Sequence, residues 1–255
     1  MTRRPGFPAR LPNAPAQPAR APAVTPSARP AAAPAGLGLD SQAVRARMVQ
    51  KIAAQGIGDA RVLAALNAVE RHRFVDSALA TQAYEDTSLP IGLGQTISKP
   101  SVVARMIELL LAAPAVASGA RLGRVLEVGT GCGYQAAVLS QVATEVYSIE
   151  RLRGLHDRAR DNLRAFRLAN VHLLFGDGMV GFAQGAPYAG IIAAAGGEAV
   201  PENWTDQLAE GGRIVAPMVM PDGQQALVVI DKQGGRLSRS ILESVHFVPL
   251  KSGIA

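Results

Sequence analysis

The chain has 255 residues, of which 48% are hydrophobic, so it can form one large domain with an appendage or at most two domains. Its formal charge of +6 at pH 7 suggests nucleic-acid binding, but residues 1–35 alone hold five arginines and no acidic residue. The remaining residues carry 21 basic and 20 acidic side chains, and this near-neutrality argues against a nucleic-acid partner.

The cysteine and histidine content limits the chemistry further. The only cysteine, Cys132, excludes an internal disulfide and a cysteine-based metal site, and it suits a reducing cytoplasm. The four histidines have no ligand spacing, so we expect no metal. No apolar run reaches the length of a membrane span. We therefore expect a cytoplasmic monomer that binds neither nucleic acid nor membrane.

Residues 1–35 differ in composition from the rest of the chain. They contain nine of the 17 prolines and eleven alanines. Proline interrupts helices and sheet ladders, and this segment has few apolar side chains to bury. We therefore expect a disordered Pro/Ala/Arg-rich tail, followed by one domain over residues 36–255.

The pattern becomes helical from Asp40, where apolar side chains recur every four residues until Gly56 can end the first helix. Asp59 can cap a second helix, and a short third helix is predicted near residues 76–83. These helices are too slight for a core of their own. We expect the segment of about 40–83 to cover an edge or face of a sheet.

An irregular loop is predicted over residues 84–100, where glycines, prolines and hydroxyl residues cluster. Pro100 suits the first turn of the next helix. Gln95, Thr96 and Ser98 would then lie at or just before a helix N-terminus, where N–H groups and the helix dipole favour a carboxylate. In the alternative interpretation, Thr96 and Ser98 only satisfy backbone donors as caps. The spacing alone leaves both interpretations open.

Residues 124–150 are predicted to form a strand, a glycine loop, a helix and a second strand. The loop carries Gly129, Gly131 and Gly133 at alternate positions, and Glu150 ends the second strand. Such a loop lets the backbone approach a ligand closely, and an acidic residue in this position can accept both hydroxyls of a ribose. The pattern therefore indicates a cofactor that contains a nucleoside, although the loop could instead serve only tight strand–helix packing.

The position of the third glycine indicates which cofactor. A dinucleotide fingerprint needs glycine where this chain has Tyr134, and the sequence contains no P-loop motif. The E-x-G-x-G-x-G form, from Glu127 to Gly133, resembles the first motif of S-adenosylmethionine-dependent methyltransferases.

Strands and helices continue to alternate after Glu150. The later elements predicted are strands over 171–175, 190–195 and 213–217, a helix begun near Pro201, and two final strands over 225–231 and 240–248. This alternation predicts an α/β fold with a doubly wound, mostly parallel sheet, extra N-terminal helices and a C-terminal antiparallel hairpin.

Over residues 42–251 the sequence resembles the protein-L-isoaspartate (D-aspartate) O-methyltransferase family. The most specific match is Leu89-Pro90-Ile91-Gly92 continuing to Gln95-Thr96-Ile97-Ser98, which is similar to that family's active-site loop. Further matches are the cofactor motif in 125–134, the adenine-side loop Gly176-Asp177-Gly178 and the substrate-side segment in 247–250.

The resemblance implies methyl transfer from S-adenosyl-L-methionine to the free carboxylate of L-isoaspartyl, and possibly D-aspartyl, residues in damaged proteins and peptides. The methyl ester would then initiate repair through a succinimide. The resemblance makes Ser98 the catalytic residue, which also contacts substrate together with Val248, Pro249 and Leu250. It implies cofactor binding by Gln95, Thr96, Ile97, Glu127, Gly129, Gly131, Gly133, Glu150, Asp177 and Gly178.

The chain departs from the family pattern in places. Tyr188-Ala189-Gly190 lacks a frequent acidic residue, His246 stands where arginine is common, and Cys132 stands where serine is usual. None of these changes touches residues 95–98. Two other functions remain open: methylation of another carboxylate acceptor, or S-adenosylmethionine binding without turnover.

Overall fold

The computed structural model describes residues 42–116 and 120–255, so the tail predicted over residues 1–35 lies outside the described residues. The helices are α1 (Gln42–Ala54), α2 (Ala60–Ala68), α3 (Pro100–Leu111), α4 (Tyr134–Val142), α5 (Arg153–Arg164) and α6 (Glu202–Gln207). The strands are β1 (Leu89–Gly92), β2 (Gln95–Ile97), β3 (Leu122–Val128), β4 (Ala143–Glu150), β5 (Val171–Phe175), β6 (Tyr188–Ala193), β7 (Leu208–Val219), β8 (Gln225–Gln233) and β9 (Arg236–Val245). Short 3-10 helices span Arg71–Phe74, Ser77–Gln82, Gly178–Val180 and Ala183–Gly185.

The main sheet has seven strands in the order β5-β4-β3-β6-β7-β8-β9. The neighbours from β5 to β7 are parallel, and β8 and β9 continue the sheet as an antiparallel hairpin. The strand order reverses between β3 and β6, and ligands of doubly wound sheets bind at such a point, beyond the carboxyl ends of the strands. The predicted fold class is confirmed.

The segment predicted as an irregular loop contains an ordered hairpin. Strands β1 and β2 pair antiparallel, with Leu89 opposite Ile97. The turn consists of Gly92, Leu93 and Gly94, which all have positive φ, at 88°, 52° and 68°. Strands of four and three residues are too short to show an alternating pattern, and a proline within β1 argued against a strand. The prediction of irregular structure was therefore wrong for this part.

Two predicted helix boundaries also need correction. The third helix is a 3-10 helix over Ser77–Gln82. Helix α6 ends at Gln207, and β7 begins at Leu208 rather than after the Gly211-Gly212 pair. The ladder between β6 and β7 shifts register between Tyr188 and Gly190, which lets the strand continue through the two glycines.

The N-terminal helices bury their apolar faces in the core of the sheet domain. Met48 and Ile52 of α1 and Leu66 of α2 belong to the same cluster of buried side chains as residues of α3, α4 and β3. This packing accounts for the four-residue spacing of apolar residues in α1. The cluster therefore joins the N-terminal helices directly to the elements that carry the glycine loop.

Arg71 is fully buried between the N-terminal helices and α4. Its Nε donates to the Ala83 carbonyl at 2.8 Å and its Nη2 to the Thr87 carbonyl at 3.3 Å. The guanidinium lies over the Tyr134 ring, 4.8 Å from the centroid. Burial lowers the pKa of Arg71, and the interactions with Tyr134 partly offset this effect. One side chain thus fixes the segment before the hairpin against the start of α4.

We expect Arg71→Met to lower the free energy of unfolding by about 2 to 4 kcal/mol, because the carbonyls of Ala83 and Thr87 lose their buried donor. Urea denaturation measures the change. Arg47→Met, at an exposed position of α1, is the control and should change stability by less than about 0.5 kcal/mol. Equal stability of the two variants would contradict the structural role given to Arg71.

Candidate functional site

A cavity of about 470 Å³ opens at the carboxyl ends of β3 and β4, next to the point where the strand order reverses. The hairpin forms one wall, the glycine loop the floor, and residues 248–251 a second wall. This volume is in the range of cofactor and small-molecule sites. The predicted site residues that line the cavity are Gln95, Thr96, Ile97, Ser98, Gly129, Gly131, Glu150, Gly178, Val248, Pro249 and Leu250.

The carboxylate of Glu150 holds the glycine loop in place. The Gly131 N–H donates to Oε2 at 2.9 Å, and the Leu152 N–H donates to Oε1 at 2.9 Å. Glu150 is 5% exposed, so these two backbone donors replace most of the water that a free carboxylate would bind. Glu150 therefore shapes the loop and presents its remaining lone pairs to the cavity.

The glycine loop needs glycine for its conformation and its close contacts. Gly131 has φ of +57°, and a Cβ at this position would lie 3.2 Å from Cδ1 of Ile91 in the hairpin. A Cβ at Gly178 would lie 2.4 Å from Cγ1 of Val128 at the end of β3. Side chains at these positions would push the cavity walls apart. The glycines thus permit the close packing of the segments that form the cavity.

Glu127 lies beneath the glycine loop and outside the cavity lining. It is fully buried, and the Ser148 hydroxyl donates to its Oε2. The Thr130 hydroxyl is 2.6 Å from the Ser148 hydroxyl, so the network reaches the loop. Burial raises the pKa of Glu127 to about 8, the charge of Glu150 adds to this effect, and the hydrogen bond from Ser148 opposes it. Glu127 is thus mainly protonated at neutral pH, and its geometry supports the loop rather than touching a ligand.

Gly133 and Asp177 are likewise outside the cavity lining. Gly133 is the N-cap residue of α4 and faces Leu163 of α5, whose Cδ1 would lie 3.1 Å from an added Cβ. The Asp177 carboxylate accepts from the Met179 N–H at 2.8 Å and from the Gly253 N–H at 2.6 Å. Both oxygens are therefore engaged by the backbone. The geometry supports an indirect role for Asp177, while the neighbouring Gly178 lines the cavity.

The N-terminus of α3 binds a carboxylate of the protein itself, that of Asp86. Asp86 accepts from the Ser101 N–H at 2.9 Å and from the Ser101 hydroxyl at 2.8 Å. Asp86 thus occupies one of the N–H groups at this helix end, and the attraction of a substrate carboxylate to the same end stays a prediction. The side chains of Thr96 and Ser98 make no hydrogen bond with any described residue, so the structure also disfavours the capping interpretation.

Sequence reasoning missed two side chains that position the cavity walls. Arg158 of α5 donates to the Ile91 carbonyl at 2.6 Å and thereby holds the hairpin. The Gln225 Oε1 accepts from the Phe247 N–H at 2.7 Å, and its Nε2 donates to the Phe247 carbonyl at 3.1 Å. Neither residue belongs to a recognisable motif, because its partner lies far away in the sequence.

Comparison with known proteins identifies the family. A model of the protein-L-isoaspartate(D-aspartate) O-methyltransferase family matches residues 43–255. The chain belongs to this family. A protein-L-isoaspartate O-methyltransferase of Methylibium petroleiphilum is 64% identical over 222 residues, which are 86% of this chain and 81% of the relative. One from Leptothrix cholodnii is 59% identical over 229 residues, 89% of this chain and 80% of the relative.

Solved structures of the isoaspartate methyltransferase family share the fold. One protein-L-isoaspartate O-methyltransferase has a TM-score of 0.73 and 28% identity, and the match covers 82% of this chain and 66% of that one. A Plasmodium falciparum structure in complex with S-adenosyl-L-homocysteine has a TM-score of 0.68 and 23% identity, over 81% of this chain and 98% of that one.

Two features are absent from the described residues of this isoaspartate methyltransferase. Within residues 42–116 and 120–255, no helix combines the length and apolarity needed to span a membrane. The same residues contain no group of three or more His, Cys, Asp or Glu side chains that could hold a metal ion.

Glu150→Gln should weaken binding of S-adenosyl-L-methionine about ten- to 150-fold, because a charged acceptor is lost and the amide NH₂ faces a backbone donor. Calorimetric titration measures the dissociation constant. Glu145→Gln, at a partly exposed position of the same strand where the carboxylate is paired with His172 and not with the glycine loop, is the matched control and should bind normally. Unchanged affinity in Glu150→Gln would remove Glu150 from the cofactor site.

Glu127 should make stability depend on pH. The unfolded chain releases this proton near pH 4.5, whereas the folded protein keeps it up to about pH 8. The native state therefore binds more protons in this interval, and the contribution of Glu127 to the free energy of unfolding falls as pH rises, by about 1.4 kcal/mol per pH unit.

The comparison with Glu127→Gln isolates this effect, because glutamine does not titrate. Urea unfolding of both proteins without cofactor, at pH 5, 6, 7 and 8, should show the wild type losing stability relative to the variant. A difference that stays constant over this range would mean that Glu127 is already ionised in the folded protein.

Proposed function

We propose that the cavity binds S-adenosyl-L-methionine and that Ser98 orients the free carboxylate of an L-isoaspartyl residue for methylation. The observation that carries this proposal is the position of Ser98 between two cavities. A second cavity, of about 600 Å³, adjoins the first, and both are lined by Thr96, Ser98, Ala194 and Val248. A cofactor in one cavity and an acceptor in the other would meet at these residues.

The first cavity fits the cofactor through the glycine loop and the carboxylate of Glu150. Glu150 would hold the ribose hydroxyls, and the backbone near Gly129 and Gly131 would face the methionine portion. When bound, S-adenosyl-L-methionine supplies a methyl group activated by its sulfonium. Gln95, Thr96 and Ile97 of β2 complete the wall on the side of Ser98.

The acceptor needs no general base. A model carboxyl group has a pKa of about 3.3 to 3.9, so it is already an anion at neutral pH. Ser98 is half-buried, and its hydroxyl is free of hydrogen bonds to the described residues. It can therefore donate to one carboxylate oxygen while the other oxygen points at the methyl group. The enzyme then contributes alignment and partial removal of water.

The methyl ester accounts for repair. A carboxylate has no usable leaving group, whereas its methyl ester can expel methoxide. The neighbouring backbone nitrogen can therefore attack the ester carbonyl, and the methoxide takes up the N–H proton and leaves as methanol. The resulting succinimide adds water and reopens in part to a normal aspartyl residue. The family's name includes D-aspartate, so the proposal extends to D-aspartyl residues.

We also propose that the protein acts as a monomer in the cytoplasm, without a nucleic-acid or membrane partner. The near-zero net charge of residues 36–255 and the single buried cysteine support this proposal. Val248 lines both cavities, and Pro249 and Leu250 follow it directly along the wall of the first cavity, so this segment would contact the substrate where the two cavities meet.

One experiment tests the substrate class. Methyl transfer from labelled S-adenosyl-L-methionine is measured to an isoaspartyl peptide, to its normal-aspartyl twin and to a small carboxylate. We expect transfer only to the isoaspartyl peptide. Transfer to the small carboxylate alone would favour another acceptor, and no transfer despite cofactor binding would favour a non-catalytic protein.

Ser98→Ala should lower kcat/KM for an isoaspartyl peptide about ten- to 150-fold, because a hydrogen bond to a charged acceptor contributes about 1.5 to 3 kcal/mol. The affinity for S-adenosyl-L-methionine and the melting temperature should change little. Ser238→Ala, at an exposed position of β9, is the control and should keep its activity. A loss of less than threefold in Ser98→Ala would exclude the orienting role.

A further inference from the structure

The ionisable side chains that line the second cavity are all basic. Its ionisable side chains are Lys99 and His246, and its lining contains no aspartate or glutamate. Uncharged polar side chains of Ser88, Gln224, Gln225 and Ser244 also line it. The side that would receive the acceptor is therefore polar and carries positive charge from Lys99.

The carboxylates of the surrounding elements are used elsewhere. Asp86 accepts both hydrogen bonds from Ser101, and Asp222 accepts from the Gln224 N–H at 3.0 Å. Glu243 is paired with Arg105 at 2.9 Å. Lys99 is exposed, and it forms no ion pair within 4.0 Å in the part of the chain that the structure describes. Its charge is thus available to a ligand in the cavity.

The second cavity leads into a third, of about 530 Å³, and both are lined by Val102, Ser244 and Val245. The three cavities therefore follow one another from the glycine loop, past Ser98 and Lys99, to the residues just after α1 and the C-terminal end of β9. An extended polypeptide that places one residue at Ser98 would lay its neighbours along this path.

The wall beside Lys99 is held in place before any ligand binds. Gln225 forms paired hydrogen bonds with the Phe247 backbone, at 2.7 and 3.1 Å. The Gly196 N–H donates to the Val248 carbonyl at 2.8 Å. His246 is therefore attached to a fixed segment, and Lys99 directly precedes the first residue of α3. A preformed, cationic surface of this kind can discriminate between ligand charges.

We propose that the second cavity binds the residues that flank the isoaspartyl residue, and that Lys99 makes the enzyme prefer acidic over basic flanking side chains. This inference rests on the proposed function, because it concerns the same acceptor. Lys99 attracts an acidic flank and repels a basic one. Lys99 and the charged flanking side chain are both exposed to solvent, which weakens their interaction. The preference is therefore moderate, about two- to thirtyfold in KM.

The test uses isoaspartyl peptides that differ only in the flanking residues, which are Glu, Gln or Lys on either side of the isoaspartate. KM is measured for the wild type, Lys99→Gln and Lys99→Glu. The wild type should have its lowest KM for one of the Glu peptides and its highest for the corresponding Lys peptide. Lys99→Gln should remove most of this difference, and Lys99→Glu should invert it.

Two controls separate this role from a general effect of charge. Lys51→Glu changes the same charge at an exposed position of α1 that lines none of the three cavities, and it should keep the wild-type order of KM values. Raising the salt concentration from 0.05 to about 0.5 M should reduce the wild-type preference, because salt screens exposed charges. Melting temperature and affinity for S-adenosyl-L-methionine verify that the Lys99 variants are folded.

The outcomes distinguish this inference from the function on which it rests. If the wild type methylates no isoaspartyl peptide, the proposed function fails. If it methylates all the peptides with equal KM, the function stands and the charge preference is overturned. A preference that persists in both Lys99 variants but disappears in His246→Gln would also overturn the assignment to Lys99.

Discussion

The site depends on one interaction, between the carboxylate of Glu150 and the backbone of the glycine loop. The bond from the Gly131 N–H joins the end of β4 to the loop that follows β3. The bond from the Leu152 N–H fixes the turn into α5. Because a buried carboxylate loses its water, these donors must be present whether or not a ligand is bound. The cavity floor is therefore formed before the cofactor arrives.

The two carboxyl groups near the glycine loop differ because their surroundings differ. Glu150 receives two backbone donors at the edge of the cavity, whereas Glu127 is enclosed and receives the Ser148 hydroxyl. Burial, together with the smaller effect of the charge of Glu150, raises the pKa of Glu127 to about 8. Glu127 lies outside the cavity lining, whereas Glu150 lines the cavity.

The hairpin that ends directly before Ser98 has little stability of its own, since its strands have only four and three residues. Its geometry comes from neighbouring elements. Arg158 binds the Ile91 carbonyl, and Asp86 fixes the start of α3 directly after the hairpin. Several distant segments therefore place one hydroxyl at the boundary between the two cavities, and this arrangement suits a reaction that depends mainly on alignment.

The sequence by itself determined the parallel α/β fold, the glycine loop and the position of Glu150. These features follow from local patterns: strand–helix alternation, glycines at alternate positions, and an acidic residue that ends a strand. The C-terminal hairpin of β8 and β9 was also predictable, because two strand patterns flank a glycine turn. Only the tertiary structure decided that Asp177 binds Gly253, that Asp86 occupies the start of α3, and that Lys99 faces a second cavity. The physical reason is that these contacts join segments far apart in the chain, and the order of strands in the sheet determines which segments meet.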